Sequence, residues 1–350
     1  MKYSFIIPVY NRPDETDELL ESLAKQTLRD FEVLVVEDGS QVTCQQVVKA
    51  HAAQMPIKYF SKPNSGPGQT RNYGAERSQG EYLIFLDSDC VLPSGYLEAV
   101  DRELSSAPCD AFGGPDRSHP SFTPVQKAIS YSMTSFFTTG GIRGGKKKLD
   151  KFYPRSFNMG ISASLYRRLG GFSQMRFGED IDLSIRIFQS GARCRLFPDA
   201  WVWHKRRTDL RKFFRQVHNS GIARINLYKK YPSSLKLVHL LPALFTLGMA
   251  FLLLMFLCGL PLGLFSQSPF WGMLGWEMFF LSLPIPVLFS LLILADSTAE
   301  NQSLHVGVLS VAASYVQLVG YGTGFLRAWW LRCVLGRNED LQAFKDTFYK

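Results

Sequence analysis

Three long uncharged stretches near the end of the chain constrain its fold most strongly. Each lacks Asp, Glu, Lys and Arg, and they cover residues 237–276, 278–295 and 301–326. Apolar runs of about 18 residues or more are typical of transmembrane helices. A buried helical core of a soluble protein is the alternative, which three successive runs disfavour. The predicted transmembrane region is 237–330, with helices at about 237–260, 271–295 and 304–326, and a short tail follows over 331–350.

Positive charge is concentrated before these stretches. The chain of 350 residues has a formal net charge of +9, and the first 236 residues carry +10. A basic region beside membrane helices suits an anionic lipid surface. No known nucleic-acid-binding motif accompanies the charge, so we expect no nucleic-acid partner. Residues 209–236 are amphipathic and basic, which predicts either a helix in the membrane interface or a packed surface helix.

The sequence does not determine on which side of the membrane the C-terminal tail lies. Three crossings would place the tail opposite the N-terminal part. Arg327, Arg332 and Arg337 favour the inner side by the positive-inside rule, together with two lysines of the tail. One segment is therefore a candidate for a re-entrant helix, and the proline-containing stretch 283–286 is a suitable place for it.

The cysteines indicate a reducing compartment for the N-terminal part. Six of them are scattered without a CxxC pair, which predicts neither a zinc site nor a disulfide framework. The apolar run at residues 5–7 is too short for a signal peptide. We therefore expect an integral membrane protein with residues 1–236 in the cytosol, at the inner membrane if the source is bacterial.

Strand and helix patterns alternate through residues 1–208. Apolar runs at 3–9, 31–36 and 81–86 are separated by helical patterns, which is typical of parallel βαβ units. The predicted fold class is α/β, with a Rossmann-like, mostly parallel sheet and flanking helices over 1–208. The α-helical transmembrane region follows it.

Polar side chains stand where these apolar strands end. Asp87, Ser88 and Asp89 follow the strand at 81–86. Carboxyl ends of parallel strands meet at the rim where open α/β sheets bind ligands. Two carboxylates one residue apart suit Mg²⁺ or Mn²⁺ held against a diphosphate, although a turn with an Asx cap has the same pattern.

Two other strand ends predict contacts with a nucleotide on the same rim. Asp38 follows the second strand, where its carboxylate suits a base N–H or ribose hydroxyls. Tyr10 and Asn11 follow the first strand, and Tyr10 is placed to stack on a base. Ordinary loop chemistry is the alternative for each residue.

The second half of the α/β region adds a candidate base and a candidate ligand. Glu179 and Asp180 begin a predicted helix, where acids either complement the helix dipole or remove a proton from an acceptor hydroxyl. His204 is a candidate third metal ligand, since imidazole suits Mn²⁺, although a lone histidine is often structural. Arg206 and its basic neighbours fit a phosphate-bearing acceptor or lipid headgroups, or else a solvated face.

Five ordered motifs resemble those of family 2 glycosyltransferases with the GT-A fold. They are Ser4–Asn11, Val35–Ser40, Asn64–Gly74, Leu86–Asp89, and Gly171–Phe172 together with Gly178–Leu183 and Arg186. The resemblance covers about residues 3–205. It implies an enzyme that inverts the sugar configuration and uses Mn²⁺ or Mg²⁺ with a UDP- or GDP-type nucleotide-sugar donor.

The resemblance also implies a role for each matching position. Donor binding falls to Pro8, Tyr10, Asn11, Asp38, Gly66, Arg71, Asp87 and Ser88. The metal ligands would be Asp87, Asp89 and His204, and the catalytic base would be Asp180. The acceptor side would comprise Gly171, Glu179 and Arg206. The Gln-x-x-Arg-Trp motif of the family's processive synthases is not supplied by Arg215–His218, so polymer synthesis coupled to translocation is not expected.

These observations leave several functions open. The first is a membrane-anchored glycosyltransferase that acts on a lipid-linked or cell-envelope glycan, and a close variant transfers the sugar to polyprenyl phosphate. A transporter or channel subunit with a soluble domain is disfavoured, since the apolar stretches hold almost no ionisable residues. A non-catalytic membrane sensor of nucleotide sugars is the third. The sugar, the nucleotide and the acceptor are not encoded in any pattern found here.

Overall fold

The computed structural model of the protein describes residues 1–117, 119, 121–139, 153–175, 177–205 and 207–337. Arg206 and residues 338–350 of the predicted tail lie outside the described residues. The chain forms two compact units. The described residues of 1–120 and 150–205 form the first, called the sheet unit, and those of 121–149 and 206–337 form the second, called the helical unit.

Two sheets organise the sheet unit. Its described strands are β1 (Tyr3–Val9), β2 (Phe31–Asp38), β3 (Ile57–Lys62), β4 (Tyr82–Leu86), β5 (Cys90–Val91), β6 (Ala111–Gly113), β7 (Asp116–Arg117), β8 (Asn158–Ser162), β9 (Cys194–Leu196) and β10 (Val202–His204). The large sheet has the order β3-β2-β1-β4-β8-β6-β9, and the small sheet has the order β5-β10-β7. Strands β1 to β4 run parallel, and β8 is antiparallel to both of its neighbours.

Helices cover both faces of the large sheet. Those of the sheet unit are α1 (Pro13–Ala24), α2 (Gln45–His51), α3 (Pro67–Ala75), α4 (Tyr96–Ser106), α7 (Ala163–Leu169) and α8 (Glu179–Gln189). Alternate residues of β1 point to opposite faces, as the two-residue period of a strand requires. Phe5 therefore lies in one core with Leu19 of α1, while Ile6 lies in the other with Ala75 of α3. The predicted mostly parallel α/β sheet is confirmed.

The helical unit contains the apolar stretches. Its described helices are α5 (Pro124–Thr134), α6 (Phe136–Thr139), α9 (Leu210–Lys230), α10 (Leu241–Phe265), α11 (Pro269–Ser282), α12 (Pro284–Asn301) and α13 (Leu304–Trp329), which continues as a π-helical turn over Trp330–Val334. In the part of the chain that the structure describes, three helical stretches are long and apolar enough to cross a membrane: Leu237–Phe265, Pro269–Asn301 and Leu304–Val334. They overlap the three predicted transmembrane helices. Helices α5 and α6, which interrupt the α/β range, belong to this unit.

Candidate active site

The candidate site lies at the carboxyl ends of β1, β2 and β4. These three strands are adjacent and parallel, so the residues that follow them share one rim of the sheet. Asn11 has a positive φ of 53°, and its Oδ1 accepts hydrogen bonds from the backbone N–H groups of Gln41 and Val42 at 2.8 and 3.0 Å. The loop after β1 therefore holds the loop after β2.

A group of potential metal ligands follows β4. Oδ1 of Asp89 lies 3.2 Å from Nε2 of His204, and Oδ2 of Asp87 lies 4.0 Å from the same nitrogen. The small sheet makes this contact, since His204 of β10 pairs with Cys90 of β5. The ring of Phe157 stacks on that of His204, with the centroids 4.9 Å apart. The predicted neighbours Asp87, Asp89 and His204 are thus brought together.

The donor chemistry fits a hard divalent cation. Asp89, Cys90 and His204 each offer a ligand atom within 4.8 Å of the others. Carboxylate oxygens and an imidazole nitrogen suit Mn²⁺, and carboxylates suit Mg²⁺, whereas thiolates select softer metals. The Cys90 thiol is buried and lies 3.5 Å from the carbonyl oxygen of Phe157. We therefore regard Asp87, Asp89 and His204 as the ligand set that better matches such a cation.

Two arginines neutralise these aspartates. Arg12 Nη1 donates to Asp89 Oδ2 at 2.6 Å, and Arg71 Nη2 donates to Asp87 Oδ1 at 2.5 Å. Burial opposes the charged form of Arg12, but the carboxylates of Asp89, Glu15 and Asp87 together outweigh it and raise the arginine pKa above its ordinary value. No role was predicted for Arg12 from the sequence. Its position in the short connection between β1 and α1, at the carboxyl end of β1, was the available signal.

Arg71 links the loop after β4 to the start of α8. The side chain is 3% exposed, and its Nη1 lies 3.3 Å from Oε1 of Glu179 while Nη2 binds Asp87. Burial raises the pKa of Glu179 to about 7, and the charge of Asp180 adds to the shift while Arg71 opposes it. Two regions that are about ninety residues apart in sequence therefore meet through one buried guanidinium.

Asp180 has a different environment from Glu179. It is partly exposed, whereas Glu179 is buried. Oδ1 of Asp180 accepts from the Ile181 backbone N–H at 2.8 Å, and Oδ2 lies 3.3 Å from Nη1 of Arg155. Gly178 precedes both acids as the N-cap residue of α8, with a φ of 87°. Arg155 was not identified from the sequence, where no motif marks it.

The predicted base-binding residue Asp38 organises the Gly-rich turn before α3. It is 1% exposed. Its two carboxylate oxygens accept from the backbone N–H groups of Ser65 and Gly66, both at 2.9 Å, and it also pairs with Lys62. Gly66 has a φ of 89°, which favours glycine because L-residues with a Cβ rarely adopt it. Asp38 and Gly66 are therefore directly linked.

Asn72 connects α3 to the loop at Gly171. Its Oδ1 accepts from the Tyr166 hydroxyl at 2.5 Å and from the Phe172 N–H at 2.8 Å, and its Nδ2 donates to the Phe172 carbonyl at 2.8 Å. On the other side, Arg186 donates to the Gly171 carbonyl at 2.7 Å. Asn72 lies in the motif Asn64–Gly74, for which no role of this residue was predicted, and the structure assigns it this positioning contact.

The remaining predicted residues lie on the same rim or outside the described part. Pro8 is in β1, paired with Val36, Tyr10 follows that strand, and Ser88 is buried between the two aspartates. The predicted acceptor-side residue Arg206 lies outside the described residues. The donor, acceptor and catalytic roles implied for these residues stay predictions.

Comparison with known proteins points to one family. Residues 4–169 match the family model described as Glycosyl transferase family 2. An uncharacterized glycosyltransferase of Rickettsia bellii is 46% identical over 97 residues, which are 28% of this chain and 14% of that protein. The validoxylamine A glucosyltransferase of Streptomyces hygroscopicus subsp. jinggangensis is 27% identical over 227 residues, which are 57% of this chain and 54% of that protein. The chain thus spans less than two thirds of either relative.

A solved structure has a similar fold. The mannosyltransferase PcManGT from Pyrobaculum calidifontis, determined in complex with GDP-Man and Mn²⁺, superimposes with a TM-score of 0.58. The alignment covers 95% of this chain and 88% of that one at 16% sequence identity. At this identity the likeness is one of fold, in agreement with the GT-A arrangement of the sheet unit.

Proposed function

We propose that the chain, whose residues 4–169 match the Glycosyl transferase family 2 model, is a membrane-anchored, metal-dependent, inverting glycosyltransferase. It takes the sugar from a UDP- or GDP-type donor and transfers it to a lipid-linked or cell-envelope glycan acceptor. The observation that carries the proposal is the double contact of Arg71 with Asp87 and Glu179, at 2.5 and 3.3 Å. It joins the carboxylates of the donor side to those of the acceptor side.

The donor diphosphate would be held by charge on the rim. Asp87, Asp89 and His204 would hold Mn²⁺ or Mg²⁺, which neutralises the charge that gathers on a leaving nucleoside diphosphate. Arg12 and Arg71 flank the two aspartates, and guanidinium groups pair well with phosphate oxygens. The Asp38-anchored turn at Ser65 and Gly66 would support the nucleoside end of the donor.

Acceptor activation is assigned to Asp180. Its carboxylate would take the hydroxyl proton while the acceptor oxygen attacks the anomeric carbon on the face opposite the leaving diphosphate. The C–O bond to the diphosphate breaks as the new glycosidic bond forms, which inverts the configuration. Asp180 is preferred over Glu179 because it is partly exposed, whereas Glu179 is buried against Arg71. A general base has to reach the proton that it removes.

Membrane anchoring is supported by the three apolar helical stretches. Nucleotide sugars are cytosolic metabolites, so we place the sheet unit in the cytosol, at the inner membrane if the source is bacterial. An acceptor that is itself at the membrane would then be within reach of the enzyme.

The test uses the full chain in detergent with Mn²⁺. Nucleotide sugars are first screened by thermal shift, since a ligand that binds the native state raises its melting temperature. Release of UDP or GDP from the stabilising donor is then measured with and without EDTA. We expect metal-dependent release that Asp89→Asn abolishes. Release that is unaffected by EDTA and by Asp89→Asn would overturn the metal-dependent mechanism, and binding without any turnover would favour a sensor.

A further inference from the structure

The helical unit has contacts that bear on how often the chain crosses the membrane. Length and composition make Leu304–Val334 a candidate span like the two stretches before it. Its surroundings differ, because 39% of its 18-residue apolar segment is buried in protein, against 6% and 11% of the corresponding segments of the other two. A helix that crosses lipid normally keeps large apolar side chains on its surface, so the distribution of such side chains is informative.

Large exposed apolar side chains are concentrated on α10, α11 and α12. They include Leu253, Leu254 and Leu257 on α10, Phe280 and Leu281 on α11, and Leu288 and Leu291 on α12. On α13, none occurs between Val308 and Trp329. Two glycines of this interval are covered closely by a neighbour: a Cβ at Gly320 would lie 2.5 Å from Val217 of α9, and one at Gly324 would lie 2.0 Å from the carbonyl oxygen of His218. Protein therefore covers one face of this part of α13, and the rest of its surface lacks large exposed apolar side chains.

The end of α13 lies beside the beginning of α10. A Cβ at Gly322 would lie 2.4 Å from the carbonyl oxygen of Pro242, and Phe325 and Ala328 share a buried cluster with Ala243. Opposite faces of a bilayer are about 30 Å apart. If the chain crossed three times, the end of α13 would reach the face opposite the start of α10. These contacts are incompatible with that arrangement.

A contact with α9 also indicates the side on which α13 ends. Lys229 Nζ donates to the carbonyl of Arg332 at 2.8 Å. Helix α9 has six Lys and Arg residues and no acid, so it is not a crossing and remains on the side of the sheet unit from which the chain arrives. The end of α13 is on that side too.

The beginning of α13 is placed by the insertion α5. The Tyr131 hydroxyl donates to Asp296 Oδ2, near the end of α12, at 2.6 Å. Residues 118–152 connect two strands of the sheet unit and contain no apolar run long enough to cross. Helix α5 is therefore on the side of the sheet unit, and so is the end of α12. Helix α13 begins three residues after α12 ends, so the beginning of α13 lies on that side as well.

We propose that the chain crosses the membrane twice, by α10 and by α11–α12, and that α13 begins and ends on the side of the sheet unit. The lipid-facing surface is then formed by α10, α11 and α12, while α13 is the helix on which α5 and α9 pack. The C-terminal arginines lie on the same side as the sheet unit, which removes the conflict with the positive-inside rule. The inference rests on the membrane anchoring proposed above and is independent of the transfer reaction.

Single-cysteine labelling tests the proposal on the full chain in sealed membrane vesicles. The background replaces the more accessible Cys194, Cys258 and Cys333 with serine and leaves the buried cysteines in place. A membrane-impermeant maleimide is applied from either face. Lys49→Cys on exposed α2 marks the side of the sheet unit. Gln267→Cys marks the connection between α10 and α11. Because Gln267 is exposed, we expect this substitution to leave the fold unaffected.

Two further probes decide the outcome, the exposed His305→Cys at the start of α13 and the restored native Cys333 at its end. We expect both to label from the same face as Lys49→Cys, and Gln267→Cys from the opposite face. Labelling of Cys333 from the face of Gln267→Cys would establish three crossings and overturn the proposal. Labelling of all four from one face would refute membrane crossing itself. A glycosyltransferase assay on the same variants reports the proposed function separately.

Discussion

Nε2 of His204 lies 3.2 Å from Oδ1 of Asp89, although 115 residues separate them in the chain. The contact exists because β10 pairs antiparallel with β5, the short strand that directly follows Asp89. The backbone N–H of Lys205 also donates to the Asp89 carbonyl at 3.0 Å. The candidate metal site is therefore built by the small sheet, while the large sheet positions Asp87 and Asp89.

The ligand set of this site is tested by metal titration. His204→Ala should weaken Mn²⁺ binding by about tenfold or more, since even outer-shell partners contribute about 10- to 100-fold. Asp89→Asn should remove measurable binding. Isothermal titration calorimetry checks both. Cys90→Ala is the matched control, because it removes the third nearby ligand atom and is expected to leave the affinity unchanged. Equal losses for Cys90→Ala and His204→Ala would instead identify the thiol as a ligand.

The assignment of the base predicts a contrast between adjacent acids. Asp180→Asn should lower kcat by about 10²- to 10⁴-fold, which is the usual contribution of a general base, while donor affinity changes little. Glu179→Gln keeps a polar partner for Arg71 and should retain more activity. Steady-state kinetics together with donor binding separate the two effects. A larger loss of kcat in Glu179→Gln than in Asp180→Asn would transfer the role of base to Glu179.

The raised pKa of Glu179 predicts a pH-dependent stability. The pKa is about 7 in the folded protein, above the ordinary value of 4.5, so the folded state binds this proton more tightly than the unfolded state. The stabilisation is complete below about pH 4.5 and is lost as the pH rises to about 7. Glu179→Gln should lack this loss. Its melting temperature relative to that of the wild type should therefore increase between pH 5 and pH 7.5, and a constant difference would contradict the assignment.

Two adjacent glycines provide a matched test of the Asn72 contact. Gly170 and Gly171 have φ values of 74° and 67°, so Ala at either position carries similar backbone strain, about 1 kcal/mol. A Cβ at Gly170 meets no atom within 4 Å, whereas one at Gly171 lies 2.5 Å from Asn72 Oδ1. The free energy of unfolding of Gly171→Ala should be lower than that of Gly170→Ala by about 1–3 kcal/mol. Thermal unfolding measures the difference, and equal destabilisation would show that the clash is relieved without cost.

Local patterns were sufficient for the sheet and for much of the site. The apolar run 81–86 predicted β4, and the acids that follow it are on the rim because parallel strands end at one edge. Arg155 was not predicted, since its contact with Asp180 depends on the loop before β8. The placement of α5 in the helical unit was also missed. Its 11 residues have no pattern that distinguishes packing on α13 from packing on a sheet.

Residue periodicity and run length were enough to predict the α/β class, the acids at the strand ends and the three apolar stretches. Three contacts became visible only in the folded chain: Arg71 joins Asp87 to Glu179, His204 reaches Asp89, and the end of α13 lies beside the start of α10. Such contacts depend on strand pairing and helix packing between distant segments. Hydropathy measures how apolar a helix is, and the neighbouring helices decide whether lipid or protein covers it.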